Sequence, residues 1–198
     1  MRNLREQMPV LLRRAARAAL KGAVFTFALS HSSNAAAEVL AAGAGGFSLS
    51  ETAHIAAPPD KVYAAIVAPQ HWWSSQHSFS GNAANFTLDA KEGGCWCETL
   101  PDGGFVEHLR VVYAAPGKAL RLRGALGPFQ GWGADGAMTY ALKGDDKSTD
   151  LTLTYNLGGF AKDGFDAPAK AADGVLAEAV LRLKSFVETG SPEPAMTN

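Results

Sequence analysis

Residues 166–189, DAPAKAADGVLAEAVLRLKSFVET, decide the fold. Stepped at about 100° per residue, Ala172, Val175, Leu176, Ala179, Val180, Leu183, Phe186 and Val187 fall on one broad stripe, while Lys170, Asp173, Glu178, Arg182 and Lys184 lie mostly off it. The stretch therefore predicts an amphipathic helix with one buried face. Pro168 suits its first turn, Asp166 is placed to cap it, Glu178 and Arg182 form an i,i+4 pair, and Gly190 with Pro192 stop it. At 1.5 Å per residue such a helix is roughly 30 Å long, enough to lie across a whole sheet. The remaining chain is expected to supply that sheet.

Ahead of the domain, residues 1–37 follow the order of a secretory signal. Six Lys and Arg against one Glu come first, then the short apolar run GAVFTFAL (22–29), then small residues ending in Ala35-Ala36-Ala37. The apolar run is too short for a stable membrane anchor. The reading is a signal peptide over 1–37, a flexible lead-in over 38–46, a domain over 47–189 and a loose tail over 190–198, with the mature protein periplasmic or secreted. Arg13-Arg14 lacks the apolar pattern expected after a twin-arginine motif. Removing residues 1–37 moves the net charge from −1 to −6, which argues against a nucleic-acid partner. The chain of 198 residues, 47% hydrophobic, supports one core.

Between these ends the signals are strand-like. Phe47 to Ile55 alternates, with His54 on the polar side, and Pro58-Pro59-Asp60 opens a short helix to Ala68, leading to Trp72-Trp73 at a core edge. Short alternating runs follow, separated by Gly, Pro, Asp and Asn: Phe86 to Asp89, Gly94 to Leu100, Phe105 to Tyr113, Ala119 to Ala125, Ala134 to Lys143 and Thr149 to Leu157. In the last, Leu151, Leu153, Tyr155 and Leu157 face one way and Asp150, Thr152, Thr154 and Asn156 the other. One dry face per strand predicts an α+β domain in which a curved antiparallel sheet wraps around the long C-terminal helix.

Chemistry is sparser. Gly131-Trp132-Gly133-Ala134-Asp135-Gly136 matches G-x-G-x-x-G, but Ala137 to Leu142 alternates like a strand where a dinucleotide site needs a helix, so no cofactor is expected. The same glycines suit a mobile loop over 127–133 carrying Phe129 and Trp132. A second loop over 158–164 carries Phe160 and is followed by Phe165, so these aromatics cover either the core rim or a cavity mouth. Strict alternation places Glu107 with Phe105, Leu109, Val111 and Tyr113 on the inner face and His108 on the opposite one. Glu107 is thus the candidate for cavity chemistry, whereas Glu51 and Glu98, near strand ends, read as signs of bulges. Cys95 and Cys97 point the same way at i and i+2, and joining them needs a kink, so free thiols or an oxidation-sensitive pair are expected. Neither their spacing nor His71 with His77 supplies a metal site, and no Ser, His and Asp constellation specifies a triad.

The order of these motifs resembles the START-like (SRPBCC, helix-grip) superfamily, in particular its branch of heat-shock-protein ATPase activator homologues and polyketide-cyclase-like proteins. The likeness is carried by APPDKVY (57–63), GGCW (93–96) with Glu98, Asp102-Gly103, Leu120 after Pro116, LGPFQ (126–130), LTLTY (151–155) and Val175-Leu176, and spans nearly all of the domain. It implies an apolar cavity between sheet and helix that in many relatives holds a hydrophobic ligand, and no shared catalytic set. An export signal sets this chain apart from the cytosolic co-chaperone members. The expected partner is a small hydrophobic molecule, bound through Trp96, Phe105, Glu107, Phe129, Trp132, Tyr140, Tyr155, Phe160 and Phe165. The alternatives are a cyclase- or hydratase-type enzyme using Glu107 as acid or base, and an interaction protein whose cavity its own side chains fill.

Overall fold

The computed structural model describes residues 36–193. The signal-like segment lies outside the described residues up to 35, as does the tail beyond 193. Eight strands run in the order β1 (Ala36–Gly43), β2 (Gly46–Ile55), β3 (Phe86–Leu88), β4 (Cys95–Thr99), β5 (Phe105–Ala115), β6 (Ala119–Arg123), β7 (Asp135–Gly144) and β8 (Thr149–Gly158). Helix α1 (Pro59–Ile66) follows β2, and helix α2 (Asp166–Thr189) closes the domain. All pairings are antiparallel, in the order β1-β2-β8-β7-β6-β5-β4-β3. The meander from β3 to β8 thus returns the last strand beside β2.

Helix α2 lies on this sheet, packed chiefly against β2, β1 and α1. Ala172, Leu176, Ala179, Val180, Leu183 and Val187 of the expected stripe are buried, and Val175 and Phe186 are half-buried at its margins. The core they enter comes from the alternating faces of the strands: Phe47, Leu49, Ala53 and Ile55 of β2, Leu120 and Leu122 of β6, Met138 and Tyr140 of β7, and Leu151 to Leu157 of β8. The helix ends where Gly190 adopts φ 82° and donates its N–H to Phe186 O at 2.8 Å, a left-handed cap that a side chain would oppose. At the other end Asp166 begins the helix rather than capping it, because Phe165 occupies the cap position and makes no side-chain cap.

One terminal expectation is corrected. The stretch read as a flexible lead-in forms β1 and its turn, with Val39 opposite Leu49 and a register shift between Val39 and Ala41. Its Ala- and Gly-rich sequence carries no alternation, so the β2 edge, not propensity, orders it. The described part of the tail is tied down: Ser185 donates to Glu193 O at 2.8 Å, and Arg182 pairs with the Glu193 carboxylate at 3.0 Å.

Strand β5 departs from strict alternation twice. Against β4, Trp96 pairs with Leu109 but Cys97 pairs with Glu107, leaving His108 as an extra residue. Against β6, Val111 pairs with Leu122 but Tyr113 with Arg121, leaving Val112 extra. Each bulge reverses the parity of the residues beyond it. His108 and Leu109 are therefore both buried, while Phe105 is 74% exposed and Tyr113 turns outward under the Arg121 guanidinium.

Candidate functional site

A cavity of about 370 Å³ opens beside the N-terminal half of α2. One wall is the helix face of Ala171, Ala172, Val175 and Leu176. The second is the irregular segment after α1, from Trp73 to Phe79, which Trp73 anchors by donating its indole N–H to His77 O at 2.9 Å. The turn Gly127–Phe129 forms the third, and Phe86, His108 and Tyr155 of the sheet form the floor. Gln76, Phe79, Pro128 and Ala171 are exposed and so rim the mouth, whereas Trp73, Phe86, His108, Phe129, Tyr155 and Leu176 are buried. The lining contains no Lys, Arg, Asp or Glu.

The floor's polar feature is a buried carboxylate–imidazole pair. Glu98 and His108 are both nearly inaccessible, and His108 Nε2 meets Glu98 Oε2 at 3.0 Å. Burial alone would push the Glu98 carboxyl up. Hydrogen bonds from Ser80, from the Phe79 N–H at 3.1 Å and from His108 outweigh it and hold the group below the usual carboxylate range. Burial lowers the His108 pKa, and the neighbouring carboxylate offsets only part of that. The pair is therefore a carboxylate beside a neutral imidazole whose Nε2 carries the proton and donates it. Since Phe79 belongs to the mouth segment and Ser80 directly follows it, one carboxylate ties together the rim and the floor. A second tie runs from His77 Nε2 to Glu178 of α2 at 3.0 Å.

Tyr155 is fully engaged. Its hydroxyl accepts from Leu126 N–H at 2.9 Å and donates to Gly124 O at 3.4 Å, and burial, the main cause, pushes its pKa well up. Elsewhere on the inner face Glu51 of β2 is buried, with neither oxygen meeting an N–H or O–H donor, and the group it interacts with is Asp173 of α2. Burial first, then the charge of Asp173, raises Glu51 from 4.5 to about 8. Glu51 is thus an inward carboxylic acid in regular register opposite Leu153, not the sign of a bulge.

The candidate residues disperse. Phe129 and Tyr155 line the cavity. Trp96 is buried behind it, against Trp73 at 5.0 Å and Phe86 at 6.3 Å. Tyr140 is core, its phenol pushed up by burial. Phe165 is core beside Phe47, and Trp132, 39% exposed, bridges Phe129 at 5.2 Å to Phe165 at 6.2 Å. Phe160 stands in solvent at 77% exposure, and the 158–164 loop contributes nothing to the lining, so the two glycine loops do not share this mouth. Phe105 and Glu107 are turned outward by the His108 bulge, and Glu107 spends its carboxylate on Arg110. The acid or base reading of Glu107 is therefore overturned. Trp73, Phe79, Phe86 and the Glu98–His108 pair take the expected positions instead.

On the outer face the kink that joining the cysteines requires is present. The β4–β5 register shifts between Trp96 and Cys97, the Cα atoms of Cys95 and Cys97 lie 5.4 Å apart, and the two are disulfide-bonded, so the free-thiol alternative is corrected. Their sulfurs and the Glu107 carboxylate cluster within 4.8 Å, the one such group of possible metal ligands among the described residues. A disulfide and an Arg-paired carboxylate leave it no free ligand.

The chain belongs to the family described as polyketide cyclase / dehydrase and lipid transport, whose profile matches residues 46–188. No functionally curated protein matches it. Among solved structures it is similar to a conserved protein of unknown function from Enterococcus faecalis, with TM-score 0.55 and 17% identity over 77% of this chain and 78% of that one. An uncharacterised protein from Rhizobium leguminosarum gives 0.53 and 17% over 77% and 97%. One from Mesorhizobium loti gives 0.50 and 16% over 71% and 96%. These likenesses concern the fold alone, a START-like arrangement of sheet and helix.

Proposed function

We propose that this protein holds a small, largely apolar molecule in the cavity between its sheet and α2. The observation that carries the reading is the cavity itself: about 370 Å³, walled by aliphatic and aromatic side chains, with no charged side chain of Lys, Arg, Asp or Glu in its lining. Small-molecule sites begin at about 300 Å³, and a domain filled by its own side chains would keep only far smaller voids. The family's description, which names polyketides and lipids, supports the same class of ligand. Titration with the neutral fluorophore N-phenyl-1-naphthylamine tests it. Saturable binding that weakens when the mouth is narrowed by Ala171→Trp is expected; no saturable binding, or binding indifferent to that change, overturns it.

The same proposal includes export. Its support is the order of basic, apolar and small residues over 1–37. Cleavage after Ala37 would trim only the first two residues of β1. No helix among the described residues is long and apolar enough to cross a membrane. Sequencing the amino terminus of protein recovered from its native cells decides the matter, and an intact Met1 in a cytosolic fraction overturns export.

A further inference from the structure

The disulfide on the outer face of β4 brackets the irregularity that builds the cavity floor. Trp96 lies between Cys95 and Cys97, and opposite it stand both Leu109 and the extra residue of β5, His108. On a regular strand, residues at i and i+3 point to opposite faces; the bulge turns Glu107 and Arg110 onto the same one, where they pair. The outer face therefore clamps the bulge from both strands, by the disulfide on β4 and the ion pair on β5. The inner face carries what they hold: His108 in the floor, Glu98 bonded to it, and Trp96 against Trp73 and Phe86 of the cavity lining. The disulfide draws its Cα atoms to 5.4 Å, about 1 Å less than the ordinary i to i+2 spacing of roughly 6.5 Å in a strand.

We propose that Cys95–Cys97 is a thiol–disulfide exchange site for a dithiol and, resting on the ligand-binding reading above, that its opening loosens the cavity floor. Both cysteines are half-buried on an open sheet face, within reach of an attacking thiol. Cys95 is in register with Arg110 of β5, itself in register with Arg123 of β6, and both arginines are exposed. Positive charge beside a sulfur favours its departure as thiolate. The Glu107 carboxylate also lies within 4.8 Å of the sulfurs, but its charge is taken up by Arg110. A thiolate of the dithiol attacks Cys97 Sγ; a mixed disulfide forms there as the Cys95–Cys97 bond breaks, and Cys95 leaves with the electron pair beside Arg110, then takes up a proton. The second thiolate of the dithiol attacks its own sulfur in the mixed disulfide and frees Cys97. The dithiol ends oxidised to a disulfide and the cysteine pair reduced to thiols. With a single residue between the cysteines the bond constrains little of the unfolded chain, so its opening relaxes the bulge without unfolding the domain.

The test mixes the oxidised full chain with an equal amount of reduced bacterial thioredoxin and reads the redox state of each by alkylation and mass. Oxidised thioredoxin is expected to exceed reduced thioredoxin roughly tenfold at equilibrium, because labile disulfides take electrons from thioredoxin and structural ones do not. Thioredoxin that stays reduced overturns the exchange site. Dithiothreitol at the same concentration, compared by rate, tells a small dithiol from a protein one as the better donor. Arg110→Met should slow the exchange severalfold and Arg110→Lys should restore it; a rate indifferent to both overturns the departure of Cys95 beside that charge. On reduction, hydrogen exchange at the Phe79 and Ser80 amides, which Glu98 holds, should quicken roughly tenfold, and affinity for N-phenyl-1-naphthylamine should fall severalfold. The double variant Cys95→Ser, Cys97→Ser should match the reduced protein and ignore reductant. Unchanged amide exchange and affinity overturn the link to the floor and leave the ligand-binding reading standing. Quickened exchange with no saturable probe binding in either redox state overturns that reading and leaves the link to the floor.

Discussion

Replacing Glu51 by Gln removes a proton that the folded chain holds far above the usual carboxylate range. Folded Glu51 titrates at about 8 against 4.5 unperturbed, chiefly because it is buried. Between these values the unfolded chain has lost the proton and the folded chain keeps it. The stability owed to this site is therefore complete below pH 4.5, falls as pH rises through the window and levels off above about 8. The slope is about 1.4 kcal/mol per pH unit, so the whole window is worth on the order of 5 kcal/mol. Glutamine at this position keeps the shape and has nothing to titrate. Urea unfolding of both proteins from pH 4 to pH 9 should show the variant gaining on the parent steadily with pH, from near equality at the acid end. A difference that stays flat across the window would refute the raised pKa of buried Glu51.

Three further outcomes follow from the same structure. Gly174 lies inside α2, where an added Cβ meets nothing within 4 Å, so Gly174→Ala should stabilise by about 0.5–1 kcal/mol in thermal unfolding. Phe79 is 56% exposed at the cavity mouth, so Phe79→Ala should change N-phenyl-1-naphthylamine affinity severalfold while leaving stability within about 0.5 kcal/mol. Cys95 and Cys97 should resist alkylation until a dithiol reductant is added; labelling of the unreduced protein would show the pair open.

The fold was legible where periodicity is unbroken. The stripe from Ala172 to Val187 and the alternation of Leu151, Leu153, Tyr155 and Leu157 each mark one dry face, and these faces meet as the core. Strand β1 was not legible, because AAEVLAAG becomes a strand through the pairing edge of β2. The site was read least well, for one physical reason. Counting by twos from Leu109 puts Phe105 and Glu107 inside and His108 outside, and a single extra residue at His108 reverses all three. Glu98 had the right parity beside Trp96, but its value lies in meeting His108 and the backbone of Phe79 and Ser80, contacts that no local pattern encodes. The aromatic loops misled similarly. Trp132 and Phe160 suggested a mouth, which the Trp73–Phe79 segment provides through the indole and carboxylate bonds that pin it.

The central claim is that the cavity beside α2 holds a small apolar molecule. Native mass spectrometry of the protein purified from its own cells, followed by organic extraction of what it carries, tests this most directly. The account predicts a complex with one small neutral molecule per chain, displaced by excess 2-naphthol. A protein that runs at the mass of its polypeptide alone and takes up neither 2-naphthol nor N-phenyl-1-naphthylamine would contradict it.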